Sequence, residues 1–272
     1  MSVAALRDRL SALVLALGLG TVGGALFNLI DLPLAWMIGS MAANTVAAMA
    51  GWRVSVAPRL RIGMIAVLGV MLGSAFTPDL VNHIGDWAIS FAALAVYCVI
   101  AGGLAFLYYL RVVGFDPATA YFSAAPGGLQ EMILIGNAMG GDDRQIALIH
   151  AMRVMLIVLV VPIWFRLFGD YDAAQRATSA VPFLAVSGFD LLLLAVSGAV
   201  GLFVAQLLRL PASTLVGALL GSAAIHLTGV TAARPPAELV SIAQVVVGAA
   251  IGCRFTGLPL ARVLRSLRIA AG

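Results

Sequence analysis

The sequence predicts an all-α protein, a polytopic bundle of transmembrane helices with the inverted-repeat plan of transporters. Three observations predict this class. The 272 residues are 62% hydrophobic and only 10% charged, whereas soluble domains have about 25% charged residues. The mean hydropathy is +1.07. The motif around Leu32-Pro33 recurs around Leu210-Pro211. The chain is therefore expected to lie in a lipid bilayer.

Apolar runs long enough to cross about 30 Å of hydrocarbon predict eight spans. They are residues 10–30, 32–52, 62–81, 87–110, 145–168, 189–210, 211–230 and 239–257. The first run follows Arg7 and Arg9, as a signal peptide would. It is about 20 residues long and lacks a small-residue cleavage site, so it predicts a retained span.

Residues 117–140 carry the signals of a broken helix pair. Asp116-Pro117 is typical of a helix start, and Pro126-Gly127-Gly128 predicts a break. Gly140-Gly141 predicts an end, and Asp142 with Gln145 predicts a capping box for the next helix. The two half-helices would form either one broken crossing or a re-entrant hairpin that returns to its own side.

The arginines favour the hairpin. All sixteen cations are arginine. If residues 117–140 return to their own side, eleven arginines face the cytoplasm and three face outward; if they cross, the division is nine against five. The positive-inside rule therefore predicts a re-entrant pair, with both chain termini in the cytoplasm. No basic face is present, so direct binding of nucleic acid is not expected.

The chain contains a duplicated unit. Seven glycine, leucine and proline positions recur at an offset of 178, and "GVMLGSAFT" from Gly69 matches "GAAIGCRFT" from Gly248 one residue later in register. Five crossings separate corresponding helices, so the copies should face opposite ways. We assign residues 1–168 to the first membrane repeat, 169–188 to a linker and 189–272 to an incomplete second repeat.

The second repeat is predicted to end in an interfacial amphipathic helix at residues 258–270. It has no counterpart of the Pro126-Gly127-Gly128 stretch. Two alternatives remain open for a chain of this kind. Either a homo-oligomer completes the site, or this copy does not transport.

Three stretches together resemble the membrane AbrB family, the AbrB duplication proteins. They are "LPLAWMIGSMAAN" from Leu32, "APGGLQEM" from Ala125 and "HAMRVMLIVLVVP" from His150. The resemblance implies a multi-pass protein of the bacterial inner membrane with two such units. It also implies a fold similar to cation/proton antiporter-like and bile-acid-type transporters. Members have been labelled both regulators of gene expression and ammonia monooxygenases.

The broken helix pair supplies most of the candidate substrate- or ion-binding residues. Glu131 is a candidate because an ionisable group inside a membrane is costly unless it is paired or hydrated; the alternative is a solvated loop. The break at Pro126, Gly127 and Gly128 would leave backbone N–H groups free to attract an anion or a polarised oxygen. An ordinary turn needs the same glycines. Gln130 and Asn137 would line the same cavity or hold helices together.

His150 and Arg153 are the other candidates, three residues apart on one face of a predicted span. Arg153 is too far from the helix start to reach water easily, so we expect a buried partner, and Glu131 is the expected one. The two residues would serve either as a structural ion pair or as a substrate or proton site.

Transport of a small solute or proton is the function that these residues favour. The alternative is a membrane-embedded regulator that acts indirectly on gene expression, because no DNA-binding domain is apparent. An enzyme is not expected. A metal-dependent monooxygenase needs converging ligands, whereas the three histidines are dispersed, both cysteines are isolated and no cofactor motif occurs.

Overall fold

The structure is a computed structural model and describes residues 3–79, 84–168 and 181–256. All regular structure in these ranges is helical. The helices are α1 (Val3–Asn28), α2 (Ala35–Met49), α3 (Pro58–Gly73), α4 (Ile84–Tyr108), α5 (Pro117–Ala124), α6 (Leu129–Ala138), α7 (Asp143–Phe168), α8 (Gly188–Leu207), α9 (Ser213–Leu227) and α10 (Ala237–Gly252). Short turns of π- or 3₁₀-helix occur at Tyr109–Val113, Phe183–Ala185 and Cys253–Phe255. The predicted all-α class is confirmed.

Five of the helical segments are long and apolar enough to cross a membrane. They are Arg7–Asn28, Trp87–Val113, Asp143–Phe168, Gly188–Leu207 and Ala237–Phe255. The other three predicted spans form shorter helices: α2 and α9 have 15 residues each, and α3 has 16. Their lengths are about 22–24 Å. Residues 80–81 of the third predicted span, and the predicted interfacial helix at 258–270, lie outside the described residues.

The chain forms two compact units. The first contains Met1–Pro78 and Val158–Pro259, and the second is built on Asp79–Ile157. Both copies of the duplicated motif therefore belong to the first unit. The broken helix pair belongs to the second unit, together with α4 and the first part of α7.

The backbone of the first unit repeats an unusual conformation at the offset of the sequence motif. Non-glycine residues with positive φ are uncommon, yet four of them occur here in two pairs that are 178 residues apart. The pairs are Asp31 (50°) with Arg209 (52°) and Leu34 (53°) with Ala212 (49°). Gly51 (84°) and Gly229 (71°) repeat the same offset after α2 and α9. The two copies therefore share an unusual turn as well as a sequence motif.

Glycines set the packing of the first unit. Gly23 of α1 lies against Gly39 of α2, and the repeated pair Gly201 and Gly217 joins α8 to α9. The third helix of each copy packs on the other copy. A Cβ at Gly69 of α3 would be 2.7 Å from the carbonyl oxygen of Leu215, and one at Gly252 of α10 would be 2.6 Å from that of Met41. The small residues at these positions let the helix backbones approach closely.

The directions of these helices show that the copies are inverted. Along α3, Gly69 meets Leu215 and Gly73 meets Leu219, so α3 and α9 are parallel. Along α10, Gly248 meets Met37 and Gly252 meets Met41, so α10 is parallel to α2. Arg61 at the start of α3 interacts electrostatically with Arg254 just after α10, and α3 packs on α10. Hence α3 is antiparallel to α10 and to α2, and α2 is antiparallel to its counterpart α9.

Candidate substrate site at the broken helix pair

The segment around residues 117–140 forms a hairpin, as predicted. The backbone N–H of Asp142 donates to Oγ1 of Thr119 over 2.7 Å, so the end of the segment lies beside its beginning. A Cβ at Gly136 in α6 would lie 3.3 Å from Phe122 in α5, which places the two half-helices side by side. Their lengths are about 12 and 15 Å, roughly half of a bilayer core. The segment therefore returns to the level from which it starts.

The predicted caps hold the base of this hairpin. Asp116 accepts a 2.9 Å hydrogen bond from the N–H of Thr119. Asp142 accepts from both the N–H (3.2 Å) and the side-chain amide (2.8 Å) of Gln145. Hydrogen bonds from Thr119 lower the pKa of Asp116, and those from Gln145 lower the pKa of Asp142. Both carboxylates are thus held in their charged, capping form. Gly140, with φ of +84°, ends α6.

Two opposite helix ends meet at the tip, around Pro126, Gly127 and Gly128. Helix α5 ends at Ala124, and its last carbonyl groups carry partial negative charge. Helix α6 begins after Gly128, which has no side chain to cap the first N–H groups of the helix. The tip therefore offers hydrogen-bond acceptors and donors within one short break of the chain.

His150 and Arg153 of α7 satisfy the carbonyl end of α5. His150 is 3% exposed, and its Nε2 lies 2.8 Å from the carbonyl oxygen of Phe122. The guanidinium of Arg153 donates to Nδ1 of His150 over 2.9 Å and to the carbonyl oxygen of Ala124 over 3.4 Å. A cation thus lies where the dipole of α5 favours one.

These bonds also assign the tautomer of His150. Arginine can only donate, so Nδ1 must accept, and Nε2 must carry the proton that it donates to Phe122. The imidazole is therefore neutral in this arrangement. Protonation of Nδ1 would break its hydrogen bond with Arg153, so the contact between His150 and Arg153 depends on the protonation state of the imidazole.

Glu131 does not pair with Arg153, contrary to our expectation. Its side chain is exposed and folds back over the start of its own helix. A Cβ at Gly128 would collide with the carboxylate of Glu131, whose Cδ would be 2.8 Å away. A side chain at 128 would therefore displace the carboxylate of Glu131 from this position. The carboxylate occupies the end of α6 where the helix dipole favours negative charge.

The amides of α6 lie at different ends of the helix. Gln130 is in the first turn, at the tip, and its side chain is outside what the structure describes. Asn137 is exposed in the last turn, where its carbonyl oxygen accepts from the N–H of Gly140. The two positions are about 10 Å apart along the axis. The structure therefore places Asn137 at the base of the hairpin.

Two further residues at the site carried no clear signal in the sequence. Ser123 is 1% exposed, and its Oγ has no hydrogen-bond partner among the described residues. Its neighbours Phe122 and Ala124 are the residues whose carbonyls bind α7. Tyr109, directly after α4, is 6% exposed and interacts electrostatically with Arg153. A serine and a tyrosine in apolar runs are too common for the sequence alone to distinguish them.

The described residues contain no group of three or more His, Cys, Asp or Glu side chains placed to hold a metal ion. His226 lies in the first unit, where its Nε2 is 2.8 Å from the carbonyl oxygen of Ala233 and its Nδ1 is 2.7 Å from that of Ser222. His83 is outside the described residues. His150 is therefore the only described histidine at the hairpin.

Comparison with known proteins identifies relatives along most of the chain. Residues 36–272 match the family described as "Transition state regulatory protein AbrB". The chain is 26% identical to "Uncharacterized protein YhjN" of Bacillus subtilis (strain 168), over 92% of this chain and 70% of that protein. It is 25% identical to "Putative regulator AbrB" of Escherichia coli (strain K12), over 89% of this chain and 69% of that protein. No solved structure matches the chain.

Proposed function

The chain belongs to the AbrB family, and on this premise we propose that it is a secondary transporter for a small solute. We place it in the bacterial inner membrane as a multi-pass protein with both termini in the cytoplasm. Five helical segments have the length and apolar composition that a membrane span needs. The bilayer and a small solute or proton are its proposed partners, without direct contact to nucleic acid.

The observation that carries this proposal is the hairpin tip. Transporters bind solutes at broken helices, because the half-helix ends present free N–H and carbonyl groups within the membrane. Here Arg153 and His150 satisfy the carbonyl end of α5, whereas the N-cap residue of α6 is Gly128, which has no side chain to cap the N–H end. The carbonyl groups at the end of α5 thus have partners within the protein, and the N–H groups at the start of α6 are suited to bind an oxygen of the solute.

Glu131 gives this site a means of coupling to protons. Its carboxylate lies over the start of α6, where an anionic or polarised oxygen of a solute would also bind. Protonation removes the charge that holds Glu131 there. A proton taken up by Glu131 would therefore favour solute at the same position, and solute release would favour the carboxylate.

Flux through proteoliposomes containing the Glu131→Gln variant tests the proposal. We expect uptake of at least one solute from a panel of small organic anions and amines to fall about tenfold or more and to lose its dependence on a proton gradient. The matched control is Asp143→Asn, because Asp143 is an exposed acid at the base of the hairpin. Wild-type protein that carries no solute of the panel, or equal flux in both variants, would contradict the proposal.

Regulation of gene expression is the second candidate function. It is favoured by the family description and by the name of the Escherichia coli relative, both of which describe a regulator. Such a role would have to be indirect, as argued from the composition. Expression changes that persist in a Glu131→Gln, Arg153→Met double variant without solute flux would support regulation over transport.

We further propose that the chain is not an enzyme, despite the monooxygenase label that the family resemblance brings. The proposal relies on the dispersed histidines and isolated cysteines of the sequence. Metal analysis of the purified protein tests it. Stoichiometric copper or iron that survives chelation would contradict it.

A further inference from the structure

The first unit has an apolar groove between α3 and α8, closed at one end by the start of α10. Its cavity volume is about 290 Å³. The residues that line it along the two helices are mainly small or aliphatic, among them Gly63, Ala66 and Val70 on α3 and Leu194, Gly198 and Leu202 on α8. A cavity with such walls offers water almost no hydrogen-bond partners, and hydrocarbon is the filling that suits it.

The duplicated copy shows how this groove arises. The equivalent face of α10 carries Ile242 and Val245 where α3 carries Gly63 and Ala66. Val245 packs against α1, and its Cγ1 would lie 3.2 Å from a Cβ at Gly20. At Gly63 an added Cβ would meet nothing within 4 Å. Val245 therefore fills in one copy space that the smaller Ala66 leaves open in the other, whereas Ile242 is 55% exposed.

Two arginines mark one end of the open groove. Helix α9 is parallel to α3 and antiparallel to α8, so α3 and α8 are antiparallel to each other. The two helices meet where Val70 of α3 contacts Gly198 of α8. Arg59 precedes Val70 by eleven residues, and Arg209 follows Gly198 by eleven. Both therefore lie about 16 Å from that contact, towards the same end. Eleven residues are close to three turns, so Arg59 is also on the face of Val70.

The charge at this end is specific to the open groove. Counted from the first residues of α3 and α10, Arg59 corresponds to Glu238, and at the offset of 178 Arg209 corresponds to Asp31. All four are exposed. The open groove thus ends at two cations, whereas the filled one ends at two acids. A ligand that lies in the groove and reaches these arginines needs a long apolar part and an anionic head.

We propose that this groove binds an anionic phospholipid, with one acyl chain along α3 and α8 and the phosphate at Arg59 and Arg209. The acyl chain would fill the groove and pack against Ala66 and Leu202. The guanidinium groups would bind the phosphate. The site lies in the first unit and does not depend on the proposed transport, because it requires only equilibrium binding.

The test is lipid binding by the full-length protein in detergent micelles, measured by native mass spectrometry with phosphatidylglycerol and phosphatidylcholine of matched chains. Wild-type protein should retain phosphatidylglycerol at least tenfold better. Arg59→Gln with Arg209→Gln should abolish that preference, whereas Arg53→Gln with Arg111→Gln, which removes two other exposed arginines, should preserve it.

Filling the groove is the second arm of the test. Gly63→Ile with Ala66→Val reproduces the residues of the filled copy and should reduce binding of both lipids about tenfold. Ala66→Val alone, the smaller change, should reduce binding in the same direction. Unchanged lipid preference in the Arg59 and Arg209 double variant, or unchanged binding in a folded groove-filling variant, would overturn the proposal.

Discussion

Replacement of Arg153 by methionine is expected to lower solute flux by roughly ten- to a hundredfold, the rate equivalent of about 1.4–2.8 kcal/mol. Methionine has a similar length but no donor, so the carbonyl oxygen of Ala124 and Nδ1 of His150 both lose their partner. A buried acceptor without a partner costs about 1–3 kcal/mol. The tip of the hairpin should therefore loosen where α5 ends. Flux in proteoliposomes and thermal unfolding of the purified variant measure the two effects.

Two variants identify the cause. Arg144→Met removes an exposed arginine from the first turn of the same helix, and it should leave flux within about twofold of wild type if position and not net charge matters. Arg153→Lys keeps the charge but has a single ammonium in place of the planar fork, so it should recover only part of the flux. Equal flux in Arg153→Met and Arg144→Met would remove Arg153 from the site.

The break and the caps of the hairpin could be predicted from local chemistry, whereas its return was predicted from the distribution of arginines along the whole chain. Asp142 and Gln145 are three residues apart, and the bonds that they form in the structure are those of the predicted capping box. Proline and glycine at 126–128 exclude a continuous helix for reasons that do not depend on distant residues. Such signals lie within one or two turns of the chain, so a sequence records them fully.

The partner of Arg153 could not be predicted in the same way. The sequence offers acidic side chains as candidates, and Glu131 was the expected one. In the structure the partners are the carbonyl group of Ala124 and the ring of His150. Every residue has a carbonyl group, so no residue type in the sequence indicates a backbone acceptor at a helix end. Only the side-by-side packing of α5 and α7 brings it within reach.

The lengths of α2 and α9 were overestimated for a related reason. Hydropathy counts Leu32-Pro33-Leu34 as part of an apolar span, but Leu34 has a left-handed backbone and α2 begins after it. The equivalent Ala212 has the same conformation before α9. Leucine and alanine rarely adopt positive φ, so neither residue type indicates this turn. The repetition of the motif was visible in the sequence, whereas its conformation was not.

Substitution of Gly23 by alanine should cause a large loss of stability in the first unit, roughly 1–3 kcal/mol or more. The added Cβ would collide with the carbonyl oxygen of Gly39 and would lie 2.8 Å from Cβ of Ala43. Backbone atoms cannot rotate away as a flexible side chain can, so α1 and α2 would have to separate. Urea-induced or thermal unfolding in detergent, followed by circular dichroism, measures this loss.

Gly18→Ala is the matched control, because Gly18 is exposed on the same helix and an added Cβ there meets nothing within 4 Å. Alanine is the better helix former by about 1 kcal/mol, so this variant should be neutral or more stable. The repeat supplies a second test. Gly201, the counterpart of Gly23, lies against the carbonyl oxygen of Gly217, so Gly201→Ala should lose a similar amount. If Gly23→Ala were as stable as Gly18→Ala, close packing of the repeated helix pairs would not stabilise this unit.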